Sequence, residues 1–156
     1  TRLVTFLRRP TDQPPVRFYE RLEPAVFVLR LVPGMRADII PLLAPHYRAL
    51  VLESFGVGGV PSYPGSSFLE VLHQGLDAGK AIVLTTQVQN EGSDVGVYQV
   101  GRQIRNCPQI LEAFDMTTEA VCAKLMWILA QTREPEQVAK LFYTPVAHDI
   151  LRYARG

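Results

Sequence analysis

Ala49-Leu50-Val51-Leu52-Glu53-Ser54-Phe55, running into Gly56-Val57-Gly58-Gly59-Val60-Pro61, is the stretch from which the fold is read. Its first residues are apolar on both alternating faces, as in a strand covered on both sides, and the glycine-rich run with its proline stops it. Two segments of the same kind flank it. Upstream, Val26-Phe27-Val28-Leu29-Arg30-Leu31-Val32 is apolar and rich in β-branched residues and ends at Pro33-Gly34; downstream, Ala81-Ile82-Val83-Leu84-Thr85-Thr86 follows Gly79. The chain between them reads as helix. Residues 37–47 place Ile39, Ile40, Leu42 and Leu43 at helical spacing, with Pro41 tolerable only in or near the first turn. Ser66 or Ser67 caps a second helix whose Phe68, Leu69, Val71, Leu72 and Leu76 form one stripe before Gly79. Strands alternating with helices at such short spacing pair in parallel through right-handed crossovers, so the expected class is α/β.

Outward from this centre the signals thin. Gln87 to Gly101 is polar and glycine-containing without helical period, a long loop of the kind that carries function in compact domains. Ile110 to Phe114 reads as a fourth strand or a short helical turn. Asp115 or Thr117 caps the clearest helix of the chain, with Glu119 near its positive end and Val121, Leu125, Ile128 and Leu129 on one face. Trp127 flanks that face as a structural anchor. Pro135 opens a last helix with Val138, Leu141 and Phe142, and the tail from Thr144 carries no readable signal. At the other end, Arg2, Arg8, Arg9, Arg17 and Arg21 alternate with Pro10, Pro14, Pro15 and Pro24, which forbids a long helix. Residues 1–24 are expected to be an interdomain linker or docking arm, and residues 25–156 the domain; Asp12, Glu20 and Glu23 argue against a targeting peptide.

Composition bounds the function. A chain of 156 residues with 47% hydrophobic and 20% charged residues is long enough for one domain, which buries about 70% of its unfolded surface. A formal net charge of +1 supplies no field for phosphate, and no patch beyond the first residues is basic enough to compensate, so nucleic acid is not expected as a partner. The apolar runs at Ala25 to Pro33 and Leu125 to Ala130 are far shorter than the roughly 18 residues that span a bilayer. No membrane segment is expected. Cys107 and Cys122 alone exclude a disulfide framework and an all-cysteine zinc site, and they suit a reducing, cytoplasmic compartment.

No catalytic constellation emerges from the residues. The Gly56-x-Gly58-Gly59 loop follows a strand as a phosphate-binding turn does, but the third glycine of a dinucleotide fingerprint falls at Pro61. A tight loop at the carboxyl edge of the sheet, lining a small-ligand cleft, fits better. His46, His73 and His148 are single and lack metal spacing, so no metal or cofactor is expected. Ser54 lacks the preceding glycine of a nucleophile elbow. Cys107 and Cys122 are expected to sit beside no His or metal partner, so reactive roles are not expected of them. Thr1 fits an N-terminal nucleophile, but the boundary of a fragment explains the absent methionine more simply. Arg102 and Arg105, near Tyr98, have an anion contact as their functional reading and a solvated surface as the default.

Leu52 to Pro61, Ala81 to Gln87 and Tyr98-Gln99-Val100-Gly101-Arg102, followed by Asp115-Met116-Thr117-Thr118-Glu119-Ala120, Lys124-Leu125 and Leu129-Ala130-Gln131-Thr132, occur in an order that resembles the C-terminal domain of bacterial-type L-asparaginases, with the cytosolic type I branch as the nearest pattern. The resemblance runs from about Val26 to Thr132. It implies a three-layer, flavodoxin- or Rossmann-like sandwich around a short, mainly parallel sheet of about four strands. It also implies hydrolysis of L-asparagine to L-aspartate and ammonia in an intact enzyme that is a homodimer or homotetramer. The family's nucleophile and its activating residues lie in a larger N-terminal domain and have no matching position here. The resemblance therefore implies no catalytic residue in this chain, and inactivity alone. Thr85 and Thr86 are strand residues, not nucleophiles.

The ligand-lining candidates that the resemblance implies are Glu53, Ser54, Gly56, Gly58, Gly59, Gln87 and Glu91, in or beside the loops that complete a neighbouring subunit's site. Some cytosolic members bind a second asparagine as activator through an arginine and a cysteine. Here Glu53 and Val88 stand at those positions and Gly59 replaces an amide side chain, so activation by that chemistry is not expected. Periplasmic relatives supply an asparagine and an acid from this domain; Pro61 has no amide for the first role, and Glu91 is the candidate for the second. Two other readings stay open: a non-catalytic module that assembles and binds a small amino acid or similar anion at the glycine loop, and the related domain of a tRNA-dependent amidotransferase acting on glutamine.

Overall fold

The computed structural model describes residues 15–63, 66–88, 92–97, 107, 109–147 and 149–150. Along the chain lie β1 (Val26–Arg30), α1 (Ile39–Leu43), β2 (Ala49–Ser54), β3 (Ser62–Tyr63), β4 (Ser66–Ser67), α2 (Phe68–Asp77), β5 (Ala81–Thr86), a 3-10 turn (Val95–Val97), β6 (Ile110–Glu112), α3 (Thr118–Leu129) and α4 (Pro135–Tyr143). Among the described residues, four strands form a wholly parallel sheet in the order β1-β2-β5-β6. The fold is the expected α/β sandwich. Ile110 pairs with Ile82, and Glu112 with Leu84, which makes the fourth segment a strand rather than a turn. A two-residue hairpin, β3 with β4, interrupts the approach to α2.

Alternation along the strands divides the core in two. Leu50 and Leu52 of β2 and Ile82 and Leu84 of β5 face α1 and α2, where Ile40, Phe68 and Leu72 close the layer. Ala49, Val51 and Val83 face the opposite way, against Val121, Leu125 and Ile128 of α3 and Val138 and Phe142 of α4. Burial on both faces is why the central strands carry no polar face.

Helix ends follow side-chain chemistry. Ser67 Oγ accepts the Glu70 N–H at 3.3 Å to cap α2, and Thr117 Oγ1 accepts the Ala120 N–H at 3.3 Å to cap α3. Gly79, at φ +72°, ends α2 in the left-handed region that glycine enters without strain. The first helix is shorter than its apolar pattern predicts, five residues in place of eleven. Pro41 sits in its first turn, and Pro45, with no N–H to donate, forbids continuation.

The extended segment at residues 15–25 docks on α3: the Glu23 N–H donates to Met126 O at 2.9 Å, and Tyr19 meets half-buried Trp127 edge-on at 5.2 Å. The tail from Thr144, unreadable as sequence, is informative in the structure. Lys124 Nζ, buried under α4, donates to Thr144 O at 2.8 Å and pairs with Asp149 Oδ2 at 2.8 Å. Asp149 Oδ1 also accepts the Val146 N–H at 2.8 Å, and Ile150 is buried beside them.

Tyr143 ties α4 to the sheet, its hydroxyl accepting the Glu112 N–H at 2.9 Å. Burial pushes the phenol up; the Glu112 N–H works the other way, and the Glu112 charge adds to the rise. Because the folded value is the higher one, this contribution to stability is intact below the range of an unfolded tyrosine, near pH 10, and is lost as pH rises through the folded value. Tyr143→Phe is expected to flatten the alkaline limb of a pH series of urea unfolding curves. At neutral pH it costs about 1 kcal/mol through the lost acceptor. An unchanged alkaline limb would refute the assignment.

Candidate ligand-binding edge at the carboxyl ends of the strands

The strands leave the sheet into two loops, residues 55–61 after β2 and residues from 87 after β5. Ser54, the last residue of β2, is fully buried, and its hydroxyl donates to Thr85 O at 2.7 Å. One position earlier, half-buried Glu53 accepts the Thr118 hydroxyl at 2.8 Å, which joins the strand end to the start of α3. Gln87 Nε2 donates to both Leu31 O at 2.6 Å and Glu53 O at 2.9 Å, so one amide side chain spans the ends of β1 and β2. The Thr86 hydroxyl donates to Gly56 O and accepts the Val88 N–H. Thr85 is buried within the strand.

The glycine loop is closed on itself. Gly58 and Gly59 both direct their N–H groups to Phe55 O, at 3.1 and 2.8 Å, and the Phe55 N–H returns to Gly59 O at 2.8 Å. An anion cradle needs such donors free, so the phosphate-turn reading finds no support. Gly58 is needed for approach: a Cβ there would lie 2.7 Å from Val95 Cα. The Asp94 N–H donates to Val57 O at 2.6 Å and locks the two loops together.

The second loop is held from below by β6. The Val95 N–H donates to Glu112 Oε1 at 2.9 Å, and the Ser93 N–H donates to Phe114 O at 2.7 Å. Phe114 adopts φ 53°, the left-handed region that a bulky residue enters only under constraint. Gly92, at φ +73°, packs against the same carbonyl.

The structure therefore brings Glu53, Ser54, Gly56, Gly58, Gly59 and Gln87 to one edge of the sheet, with the polar groups of Ser54 and Gln87 engaged inside the domain. Glu91, Arg102, Arg105 and His148 lie outside the described residues. Thr118, Glu112 and Phe114 were not among the site residues expected from sequence; Thr118 lies in the Asp115–Ala120 motif, and the alternation that sends Glu53 toward α3 signals its contact. Cys107 corrects an expectation, since its Sγ lies 3.9 Å from His73 Nδ1, a neighbour 34 positions distant in sequence. Burial, with Glu119 and Glu53 nearby, pushes the half-buried Cys122 thiol up, away from a reactive thiolate. Among the described residues no three His, Cys, Asp or Glu side chains gather as metal ligands. No helix among them is long and apolar enough to cross a membrane.

The model of the Glutaminase/Asparaginase C-terminal domain family matches residues 25–142. The chain belongs to this family. The L-asparaginase of Thermococcus kodakarensis is 37% identical over 133 residues, covering 85% of this chain and 40% of that protein. The solved structure of the thermostable L-asparaginase from Thermococcus kodakarensis superposes with a TM-score of 0.78 at 33% identity, over 91% of this chain and 44% of the other. A glutamyl-tRNA(Gln) amidotransferase subunit of Pyrococcus furiosus is 28% identical over 156 residues, covering 97% of this chain and 34% of that protein. The chain thus spans 40% or less of these two curated relatives. In this asparaginase C-terminal domain the order of the described sheet strands never reverses. Ligand crevices of open α/β sheets form where strand order reverses, so these strands provide an edge and not a crevice.

Proposed function

We propose that this chain is the C-terminal domain of a type I L-asparaginase, which hydrolyses L-asparagine to L-aspartate and ammonia, and that it supplies one wall of the ligand site and a dimerisation surface while holding no catalytic residue. Residues 1–24 act as linker or docking arm in this reading and residues 25–156 as the domain. The enzyme is cytoplasmic and works as a homodimer or homotetramer, without cofactor. The observation that carries the proposal is the pair of interlocked loops at the carboxyl edge, held by backbone bonds such as Asp94 N–H to Val57 O at 2.6 Å, in a chain of this family. Gly56 and Gly59 supply the rim that meets ligand, Gly58, Glu53, Ser54 and Gln87 shape it from behind, and Glu91 is the acid this reading assigns to the ligand.

The test compares this chain with the full-length protein that carries it, each incubated with L-asparagine while ammonia is measured. Turnover by the full-length protein and none by the chain is expected; robust turnover by the chain alone overturns the division of labour. A second reading, the related domain of a tRNA-dependent amidotransferase, is favoured by the likeness to the Pyrococcus furiosus amidotransferase over 97% of this chain. Glutamine assayed in parallel separates the two, because that reading requires glutamine to be the better substrate.

A further inference from the structure

We propose that Glu112 is a positioning residue for the ligand side of this domain, its carboxylate holding the Gly92–Val97 loop in the form that meets the amino-acid substrate. The inference rests on the amidohydrolase reading for its substrate and on geometry for its mechanism. Glu112 is the last residue of the three-residue edge strand β6, and its two ends reach in different directions. Its backbone N–H donates to the Tyr143 hydroxyl at 2.9 Å, which fixes the residue to α4. Its Oε1 accepts the N–H of Val95, a residue buried to 2% exposure at the start of the 3-10 turn.

A buried N–H without a ladder partner must be satisfied by a side chain or water, and a carboxylate acceptor makes the bond charge-assisted. The consequence travels beyond the loop. Val95 is the residue against which Gly58 packs, and its neighbour Asp94 donates to Val57 O at 2.6 Å. Release of Val95 therefore loosens both loops of the edge together. The chain just past β6 keeps its own contact with β5, the Ala113 N–H donating to Leu84 O at 2.8 Å. Removing the carboxylate takes away the Val95 acceptor and also the charge that Tyr143 senses, and the first of these acts on the ligand edge.

Two variants of the full-length protein test this. Glu112→Leu keeps the size and removes the acceptor, whereas Glu112→Gln keeps an acceptor oxygen. One lost bond corresponds to a rise in KM for L-asparagine of about fivefold in Glu112→Leu, with kcat little changed, as for an interaction made equally in ground and transition states. Glu112→Gln is expected to restore most of the wild-type KM. Hydrogen exchange at the Val95 amide should speed up in Glu112→Leu and not in Glu112→Gln. Equal KM defects in both variants, or a Glu112→Leu protein with wild-type KM, overturns the positioning role. An unchanged Val95 exchange rate overturns the anchor itself. A full-length wild-type protein that hydrolyses neither asparagine nor glutamine overturns the functional reading and with it the positioning role, while the exchange rates still decide the anchor.

Discussion

Asp149→Ala is expected to lose about 3–5 kcal/mol of unfolding free energy, because it leaves the Lys124 ammonium buried and unpaired. The ammonium has few alternatives. Its side chain is 3% exposed, its remaining oxygen partner among the described residues is Thr144 O, and the Phe142 ring, 5.8 Å away, offers only a weak cation–π contact. The same substitution frees the Val146 N–H, which Asp149 Oδ1 accepts at 2.8 Å, so the segment that buries Ile150 is released as well. Urea unfolding followed by the fluorescence of Trp127, the one tryptophan of the chain, measures the loss. The double variant Lys124→Met/Asp149→Leu separates the stranded charge from the packing. Replacing a buried pair with apolar residues of similar volume is commonly neutral or stabilising, so most of the deficit should vanish. A single-variant loss below about 1 kcal/mol, the ceiling for exposed ion pairs, would mean that water reaches Lys124.

Gly92→Ala is the second large effect. The residue sits at φ +73°, and a Cβ there would lie 2.8 Å from Phe114 O, the carbonyl that already accepts the Ser93 N–H at 2.7 Å. Left-handed backbone costs a non-glycine residue about 1–2 kcal/mol, and overpacking against a fixed neighbour about 1–3 more. The total expected is about 2–5 kcal/mol. Gly79→Ala is the matched control: φ is +72°, but nothing lies within 4 Å of the added carbon, so only the backbone part applies. Unfolding curves of the two variants should therefore differ by the overpacking contribution. Equal losses would show that the Phe114 carbonyl yields without resistance.

Much of the frame was legible because it depends on near neighbours in sequence. Apolar runs at Val26, Ala49 and Ala81 identified the strands, Ser66 or Ser67 and Asp115 or Thr117 marked helix starts, of which Ser67 and Thr117 are the caps, and Gly79 marked an end. The misreadings are of two physical kinds. A helical stripe at residues 37–47 was overruled by Pro45, whose missing N–H outweighs a favourable apolar pattern. The others depend on distant pairs: Lys124 with Asp149, 25 positions away, turns an unreadable tail into part of the core. Cys107 beside His73 is the same kind of case. At the ligand edge, residue types located the two loops, but nothing in Glu112 or Phe114 announces a carboxylate below Val95 or a left-handed bend. Those follow from where β6 ends relative to the loop.

The register of the parallel ladder has a kinetic consequence. Val26 pairs with Ala49, Ala49 with Ala81 and Ile82 with Ile110, so none of the three pairings in the main sheet is a local hairpin. Each must close a loop of more than twenty residues before its first rung forms, and the entropy of closure precedes any gain from pairing. The two central strands, β2 and β5, share the most extensive pairing and bury both faces, which makes them the natural nucleus on which β1 and β6 add. Folding should be slow for a chain of this size, and until the outer strands arrive the nucleus presents two unpaired apolar edges to any neighbouring chain.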